Sequence, residues 1–258
     1  MQETGYRESH QGKGREYHAQ FTQNPRRALI WSIEQRFLGD IARRFLSPGE
    51  ADHLDFACGS GRILARFADN VRSSTGVDVS TSMLESAKTL VPQARLIEAD
   101  ITRQEVFDGQ LFDLITAFRF FPNAEPTLRH EVIKALYPLL RPGGLLVFNN
   151  HRNVSCLAFR VGRLLKRTNT PFFGMSAREV AELVGSVGLS VERIYHVGIV
   201  PEFETRMLRP RFLVGWIESL ATRLPVAGLS EDLIYVCRKS ASPSGEDAQS
   251  QPSIAHTA

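Results

Sequence analysis

Between residues 53 and 149, short apolar runs and helix-period stretches take turns along the chain, and no other feature restricts the fold as much. HLDF (53–56), STGVDV (74–79), RLIEA (95–99), FDLITAF (112–118) and GLLVFN (144–149) have the length and apolar content of strands. Residues 62–68, the stretch from Ser82-x-x-Glu85 to Pro92, and residues 126–140 with apolar positions 128, 132, 133, 136, 139 and 140 read as the helices between them. Strand and helix in turn require right-handed crossovers. The predicted fold class is therefore α/β, doubly wound, with a mainly parallel sheet and helices on both faces.

The flanks complete this architecture. Asn24-Pro25 reads as an N-cap and first helical residue, and Leu29, Ile33, Phe37, Ile41 and Phe45 then recur every fourth residue up to Ser47-Pro48-Gly49, as in an amphipathic helix docked on a core. Beyond residue 150, residues 156–167 read as a basic amphipathic helix, and Ser176-x-x-Glu179 opens a further helix that stops at Gly188. LSVERIYHV (189–197) and LIYVCR (233–238) read as the closing strands. Residues 201–230 look inserted between them, with Phe212, Leu213, Trp216, Ile217 and Leu220 as core or dimer contacts. The expectation is one domain over 24–239 with a seven-stranded sheet, its last strand inserted antiparallel. Helical cap segments are expected at 152–175 and 201–230, a flexible arm at 1–23 and a disordered tail at 240–258.

Composition narrows the partners. With 43% hydrophobic and 23% charged residues a disordered chain is excluded. The 31 Lys and Arg against 28 Asp and Glu leave a net charge of +3 without a dense basic appendage, so a nucleic-acid partner is not expected. Cys58, Cys156 and Cys237 are too few for a disulfide framework and lack C-x-x-C spacing, so a cytoplasmic location and no metal site are expected. The first 20 residues are polar and no run of 18 uncharged apolar residues occurs, so neither a signal peptide nor a membrane span is expected. Arg152, Arg160, Arg163, Lys166 and Arg167 put five positive charges and no acid into 152–167, which suits either a solvated helix face or peripheral contact with a membrane surface.

The chemistry concentrates at strand ends. Asp55-Phe56-Ala57-Cys58-Gly59-Ser60-Gly61 places an acid before a glycine-containing turn into a helix, where backbone N–H groups can approach a ligand closely. The dinucleotide fingerprint G-x-G-x-x-G/A fails, because position 64 is Leu64. Asp78 ends the next strand, where a carboxylate can accept two hydrogen bonds from a ribose diol. Asp100 ends the third and offers an acceptor for an exocyclic amine beside Ile101, which can pack on a flat base. Three acids at three successive strand ends form one rim of a nucleoside pocket.

In this order LDFACGSG, TGVDVSTSML, EADI, FDLITAF and LLRPGGLLVF over residues 50–150 resemble the motifs of class I S-adenosylmethionine-dependent methyltransferases, a Rossmann-like superfamily. The resemblance implies S-adenosylmethionine as cofactor. It places the methionyl part at the turn that follows Asp55 (Ala57, Cys58, Gly59 and Gly61), the ribose at Asp78, the ribose and adenine surfaces at Val79 and Met83, the adenine amine at Asp100 and the ring at Ile101. Backbone near Ala117 and Phe118 would receive the methionyl amino group. Ala57 departs from the family, which usually has its first glycine there, and Cys58 reads as a small packing residue.

For the acceptor, His151 in Asn149-Asn150-His151-Arg152 is the candidate catalytic base, with a loop cap as the alternative. The Asn/Asp-Pro-Pro-aromatic run of amine methylators is replaced by Phe118-Arg119-Phe120-Phe121-Pro122-Asn123. Arg119 is a candidate clamp for an anionic substrate group or the cofactor carboxylate, or else a structural residue. Asn150, Arg152 and Tyr17 complete the substrate-binding candidates, and Tyr6, Tyr17 and His18 lie on the polar arm. The expected function is methylation of an oxygen on a small molecule, a saccharide or lipid-linked metabolite included, by a monomer or homodimer. An RNA methyltransferase and a non-catalytic cofactor-binding partner protein are the alternatives.

Overall fold

The computed structural model describes residues 24–157, 160, 174–198, 216–217, 220 and 230–241. The N-terminal arm with Tyr6, Tyr17 and His18, most of the basic helix over 156–167, most of 201–230 and residues 242–258 lie outside the described residues.

Helix α1 (Pro25–Phe45) leads into β1 (Asp52–Phe56), α2 (Arg62–Phe67), β2 (Ser73–Asp78), α3 (Thr81–Leu90), β3 (Arg95–Glu98), β4 (Phe112–Ala117), α4 (Pro126–Leu139), β5 (Leu140–Asn150), α5 (Ala177–Gly185), β6 (Leu189–Gly198) and β7 (Asp232–Lys239). The strands form one sheet in the order β3-β2-β1-β4-β5-β7-β6. β1 to β5 pair in parallel, and β7 is inserted antiparallel to both β5 and β6. The doubly wound expectation and the antiparallel last strand are both met.

Period-two alternation divides each central strand between two apolar layers. Leu114, Leu145, Val147, Ile234 and Val236 pack with Ile30, Ile33, Leu38 and Ile41 of α1 and with Ile63 and Phe67 of α2. On the opposite face Leu54, Phe56, Ile115, Leu146 and Phe148 meet Leu128, Val132 and Ile133 of α4 and Val180, Leu183 and Val184 of α5. All six apolar positions expected in α4 and at its end, Leu128, Val132, Ile133, Leu136, Leu139 and Leu140, are buried.

Local signals hold with two differences. Asn24 caps α1 by accepting from Arg27 N at 3.2 Å, and Ser176 with Glu179 forms the reciprocal capping box of α5. For α3 the N-cap is Ser80 rather than Ser82, because Asp78 Oδ1 takes the Ser80 N–H at 2.9 Å and closes the turn two residues early. β5 begins at Leu140 rather than after Gly143. Phe112 pairs with Leu140 and Leu114 with Leu145, so Arg141 to Gly144 form a bulge within the strand, with Gly143 at φ 78°.

The glycine that opens α2 is fixed by sterics. Gly61 sits at φ 82°, and a Cβ there would stand 3.1 Å from both Ala87 Cβ and Val91 Cγ2 on α3. Strain and crowding act together, so Gly61→Ala should lower unfolding free energy by about 1–3 kcal/mol. Chemical denaturation measures this, and an unchanged midpoint would mean that α2 and α3 are less closely apposed.

Candidate functional site

A cleft of about 980 Å³, counting its open mouth, lies over the C-terminal ends of β1, β2 and β4, where the sheet order reverses between β1 and β4.

The floor is the turn between β1 and α2. Ala57, Gly59 and Gly61 take left-handed φ values of 52°, 53° and 82°, so the backbone doubles back at alternate residues. For Ala57 this conformation is disfavoured by about 1–2 kcal/mol. The turn is tied to β2: Cys58 N donates to Val77 O at 3.1 Å and Gly59 N to Asp78 Oδ2 at 2.8 Å. Ser80 N donates to the other Asp78 oxygen at 2.9 Å, so two backbone N–H groups orient this carboxylate. The Cys58 thiol is pushed up by burial and by the Asp55 and Asp78 carboxylates, so it is a neutral packing group.

Asp55, 1% exposed, is the most unusual group in the cleft. Its Oδ1 accepts from Thr116 Oγ1 at 2.6 Å, and Oδ2, equally buried, has no partner among the described residues. Burial raises its carboxyl to about 7. The Thr116 bond and Arg62 oppose the rise, and Asp78 adds to it. A buried oxygen without a donor is disfavoured unless a ligand supplies one. A ligand carrying a cationic N–H donor is the chemistry that fits this oxygen.

Two lining residues, Arg62 and Arg119, are approached from behind by a buried acid of α1. Glu34, completely buried on the apolar face of α1, accepts from Arg62 Nη1 at 3.0 Å and Asn149 Nδ2 at 3.3 Å, with Arg119 Nη2 at 3.9 Å. Asn149 Oδ1 accepts from Arg119 N at 2.6 Å, which holds Arg119 at φ 60°. Arg62 also lies over the Trp31 ring at 4.2 Å. The apolar wall carries Phe118, Phe56 and Phe120, the last two edge-to-face at 4.8 Å.

Of the residues singled out in the sequence, Asp55, Ala57, Cys58, Gly59, Asp78, Val79, Met83, Asp100, Phe118 and Arg119 line this cleft. Asp100 Oδ1 is engaged by Thr102 N at 3.0 Å and Thr102 Oγ1 at 2.6 Å. Gly61, Ile101 and Ala117 stand behind the wall, Ile101 and Ala117 in the core. Asn150 turns away, donating to Met175 O at 2.7 Å and accepting from Arg152 N. His151 follows β5 outside the lining, its Nδ1 buried without a partner. Burial, and then the charges of Arg119, Arg152, Arg62 and Arg27, hold it well below the usual histidine range, so it is a neutral imidazole. Tyr17 lies outside the described residues.

Sequence reasoning missed Glu34, Asn149, Arg62, Thr116 and His53. A signal existed for Glu34, an acid four residues from both Ile30 and Leu38 on an apolar stripe. None existed for Thr116, which meets Asp55 only through strand register.

Because the fold binds the Asp55 proton more tightly than the unfolded chain does, this group's contribution is complete below about pH 4 and is lost as pH rises through about 7. Asp55→Asn removes that loss. It should raise the melting temperature of the ligand-free protein at pH 8, by about 1–3 kcal/mol in stability, with the gain shrinking on acidification towards pH 4. A gain or loss identical at both pH values would contradict the buried, unpartnered carboxylate.

Comparison with known proteins agrees with this geometry. Residues 54–144 match a methyltransferase domain family. A putative methyltransferase, YqeM, of Bacillus subtilis is 30% identical over 111 residues, 40% of this chain and 44% of that protein. A ubiquinone biosynthesis O-methyltransferase of Coxiella burnetii is 31% identical over 112 residues, 42% and 47% of the two. The chain thus spans less than half the length of these curated relatives. Among solved structures, a possible histamine N-methyltransferase of Thermotoga maritima superposes with a TM-score of 0.59 at 16% identity, over 87% of this chain and 95% of that one. Magnesium protoporphyrin IX methyltransferase of Synechocystis, with S-adenosylhomocysteine bound, gives 0.57 at 13% identity over 88% and 96%. Residues 54–144 thus match a methyltransferase domain, and the chain shares the fold of solved S-adenosylmethionine-dependent methyltransferases.

Proposed function

We propose that the chain is an enzyme that transfers the methyl group of S-adenosylmethionine to an oxygen of a small molecule. The observation that carries the cofactor assignment is the partnerless Asp55 Oδ2 in a cleft whose neighbouring strand tip presents Asp78. In this reading Asp55 holds the α-ammonium, the left-handed turn from Ala57 to Gly61 the methionyl chain, Asp78 the ribose hydroxyls, and Val79, Met83 and Asp100 the adenosine. When bound, the sulfonium supplies an already activated methyl group, so the protein's main task is a dry, oriented approach of the acceptor.

Oxygen as the acceptor atom is supported by the lack of the amine-methylator motif after β4, by the O-methyltransferase among the relatives, and by His151. A hydroxyl must lose its proton as it is methylated, and His151, just beyond the end of β5, is the proposed base, although burial and the neighbouring arginines leave it weakly basic in the ligand-free protein. Arg119 and Arg152 flank the same strand end and suit an acceptor with an anionic group, for which a saccharide or lipid-linked metabolite is the proposed class. Among the described residues no helix is long and apolar enough to cross a membrane. All three cysteines are buried free thiols, which supports a reducing, cytoplasmic setting.

Calorimetric titration with S-adenosylmethionine tests the cofactor site. The wild type should bind, and Asp78→Ala should bind about 1.5–3 kcal/mol more weakly. An unchanged dissociation constant removes Asp78 from the site. For the acceptor step, His151→Ala should slow single-turnover methyl transfer by about 10²–10⁴-fold at unchanged cofactor affinity, with partial recovery at high pH. Equal single-turnover rates remove His151 from the reaction, and cofactor binding without transfer to any hydroxyl acceptor contradicts the O-methyltransferase reading.

A further inference from the structure

Behind Asp55, two polar side chains that the methyl-transfer reading does not use, Thr116 and His53, form a hydrogen-bonded chain with it. In the parallel register of β1 and β4, Asp55 pairs with Thr116, and His53 lies two residues before Asp55 on the same face. Thr116 Oγ1 stands 2.6 Å from Asp55 Oδ1 and 2.8 Å from His53 Nε2. His53 and Thr116 are fully buried, and the His53 ring packs on Phe67 at 5.1 Å.

Hydrogen bookkeeping orients this chain. A hydroxyl has one proton, and when Asp55 is ionised that proton must go to its carboxylate. The Thr116 oxygen then accepts, and the donor it faces is the Nε2–H of His53. Burial holds His53 down to about 3, so it stays neutral and keeps a single ring proton. Its Nδ1, buried and without a partner, is then the unprotonated nitrogen. Donation thus runs from His53 through Thr116 to Asp55 Oδ1, and it occupies that oxygen while leaving Oδ2 for a ligand.

We infer that His53 and Thr116 are positioning residues that lock Asp55 with one oxygen committed to the protein and the other reserved for a cationic nitrogen of the ligand. This rests on the proposal that the cleft binds S-adenosylmethionine, and it adds a specific physical consequence. The other charged groups around Asp55 are Arg62 from α2 and Asp78 from β2, with the neutral Cys58 thiol in the turn. Among the described residues only the Thr116 hydroxyl hydrogen-bonds Asp55 directly, so it is the handle by which the fold favours the ionised carboxylate.

The affinity of the wild type for S-adenosylmethionine should therefore follow a bell-shaped pH profile. The acid limb, near 7, is the ionisation of Asp55. The alkaline limb is the loss of the ligand's own α-ammonium proton, ordinarily at about 7.7–8.0 for such groups.

The experiment is calorimetric titration with S-adenosylmethionine from pH 5.5 to 9 on the wild type, Thr116→Val, Thr116→Ser and His53→Phe. Thr116→Val keeps the side-chain volume and deletes the donor. It should bind about tenfold more weakly at pH 7, with its acid limb displaced upwards and its alkaline limb in place. Thr116→Ser should restore the wild-type profile. His53→Phe should displace the same limb in the same direction by less, and it carries the test if Thr116→Val does not fold. Weaker binding with an unmoved acid limb would mean that Thr116 acts through stability alone, and would overturn the inference. A wild type that binds with a flat profile overturns the inference and leaves the cofactor reading intact, whereas a wild type that binds nothing overturns both.

Discussion

A carboxyl group taken out of water at the tip of β1 is the constraint on which the remainder of the site depends. Among the described residues Asp55 has one hydrogen bond where an ionised carboxylate seeks several, and the charges near it are another acid, Asp78, and Arg62. Left alone, the group keeps its proton to unusually high pH. The fold tolerates it because two apolar layers around the sheet supply far more stabilisation than one strained site removes. Ala57, in a left-handed conformation that suits glycine better, is a second local strain only two residues away. Both features suit the cationic ligand proposed to lie against the turn.

Topology explains why the strain collects at this point. The crossovers from β1 and β2 run through α2 and α3 on one face, and the crossover from β4 runs through α4 on the other. β1 and β4 are neighbours whose connections depart to opposite sides, which opens a crevice above their C-terminal ends. α1 then covers one flank. Glu34 reaches in from that helix to Arg62 after the glycine turn and to Asn149 on β5, so three separate segments are joined by one buried acid. This acid accepts from Arg62 and Asn149 and sits beside Arg119, so its buried charge is compensated. At the other end of the strands Asp52, held down to about 2 chiefly by Arg72, secures the entry edge away from the ligand.

The fold was legible in the sequence because its signals are periodic and local. The alternation over residues 53–149, the 3.6-period stripe of α4 and the Ser176/Glu179 box each depend on residues a few positions apart, and each survives in the structure. The start of α3 was misread because Ser82-x-x-Glu85 matches a capping box equally well, while the deciding bond comes from Asp78, upstream of the pattern. The bulge at Arg141 to Gly144 hid the first residues of β5 behind a proline and two glycines. In the site, the acids at strand tips and the glycine turn were legible as chemistry on one sheet edge. The residues that hold them were not: Thr116 is 61 positions from Asp55, and Asn149 is 115 from Glu34. Such pairs are created by strand order and register, which no short motif encodes.

The claim at the centre of this account is that an adenosyl ligand lies across the reversal point with its two polar ends on two particular carboxylates. A crystal structure with S-adenosylhomocysteine bound examines that directly. The account predicts the α-ammonium within hydrogen-bonding distance of Asp55 Oδ2 and both ribose hydroxyls on Asp78, with the Thr116 bond to Oδ1 preserved. A ligand bound elsewhere, or one whose ammonium leaves Asp55 Oδ2 without a donor, would contradict it.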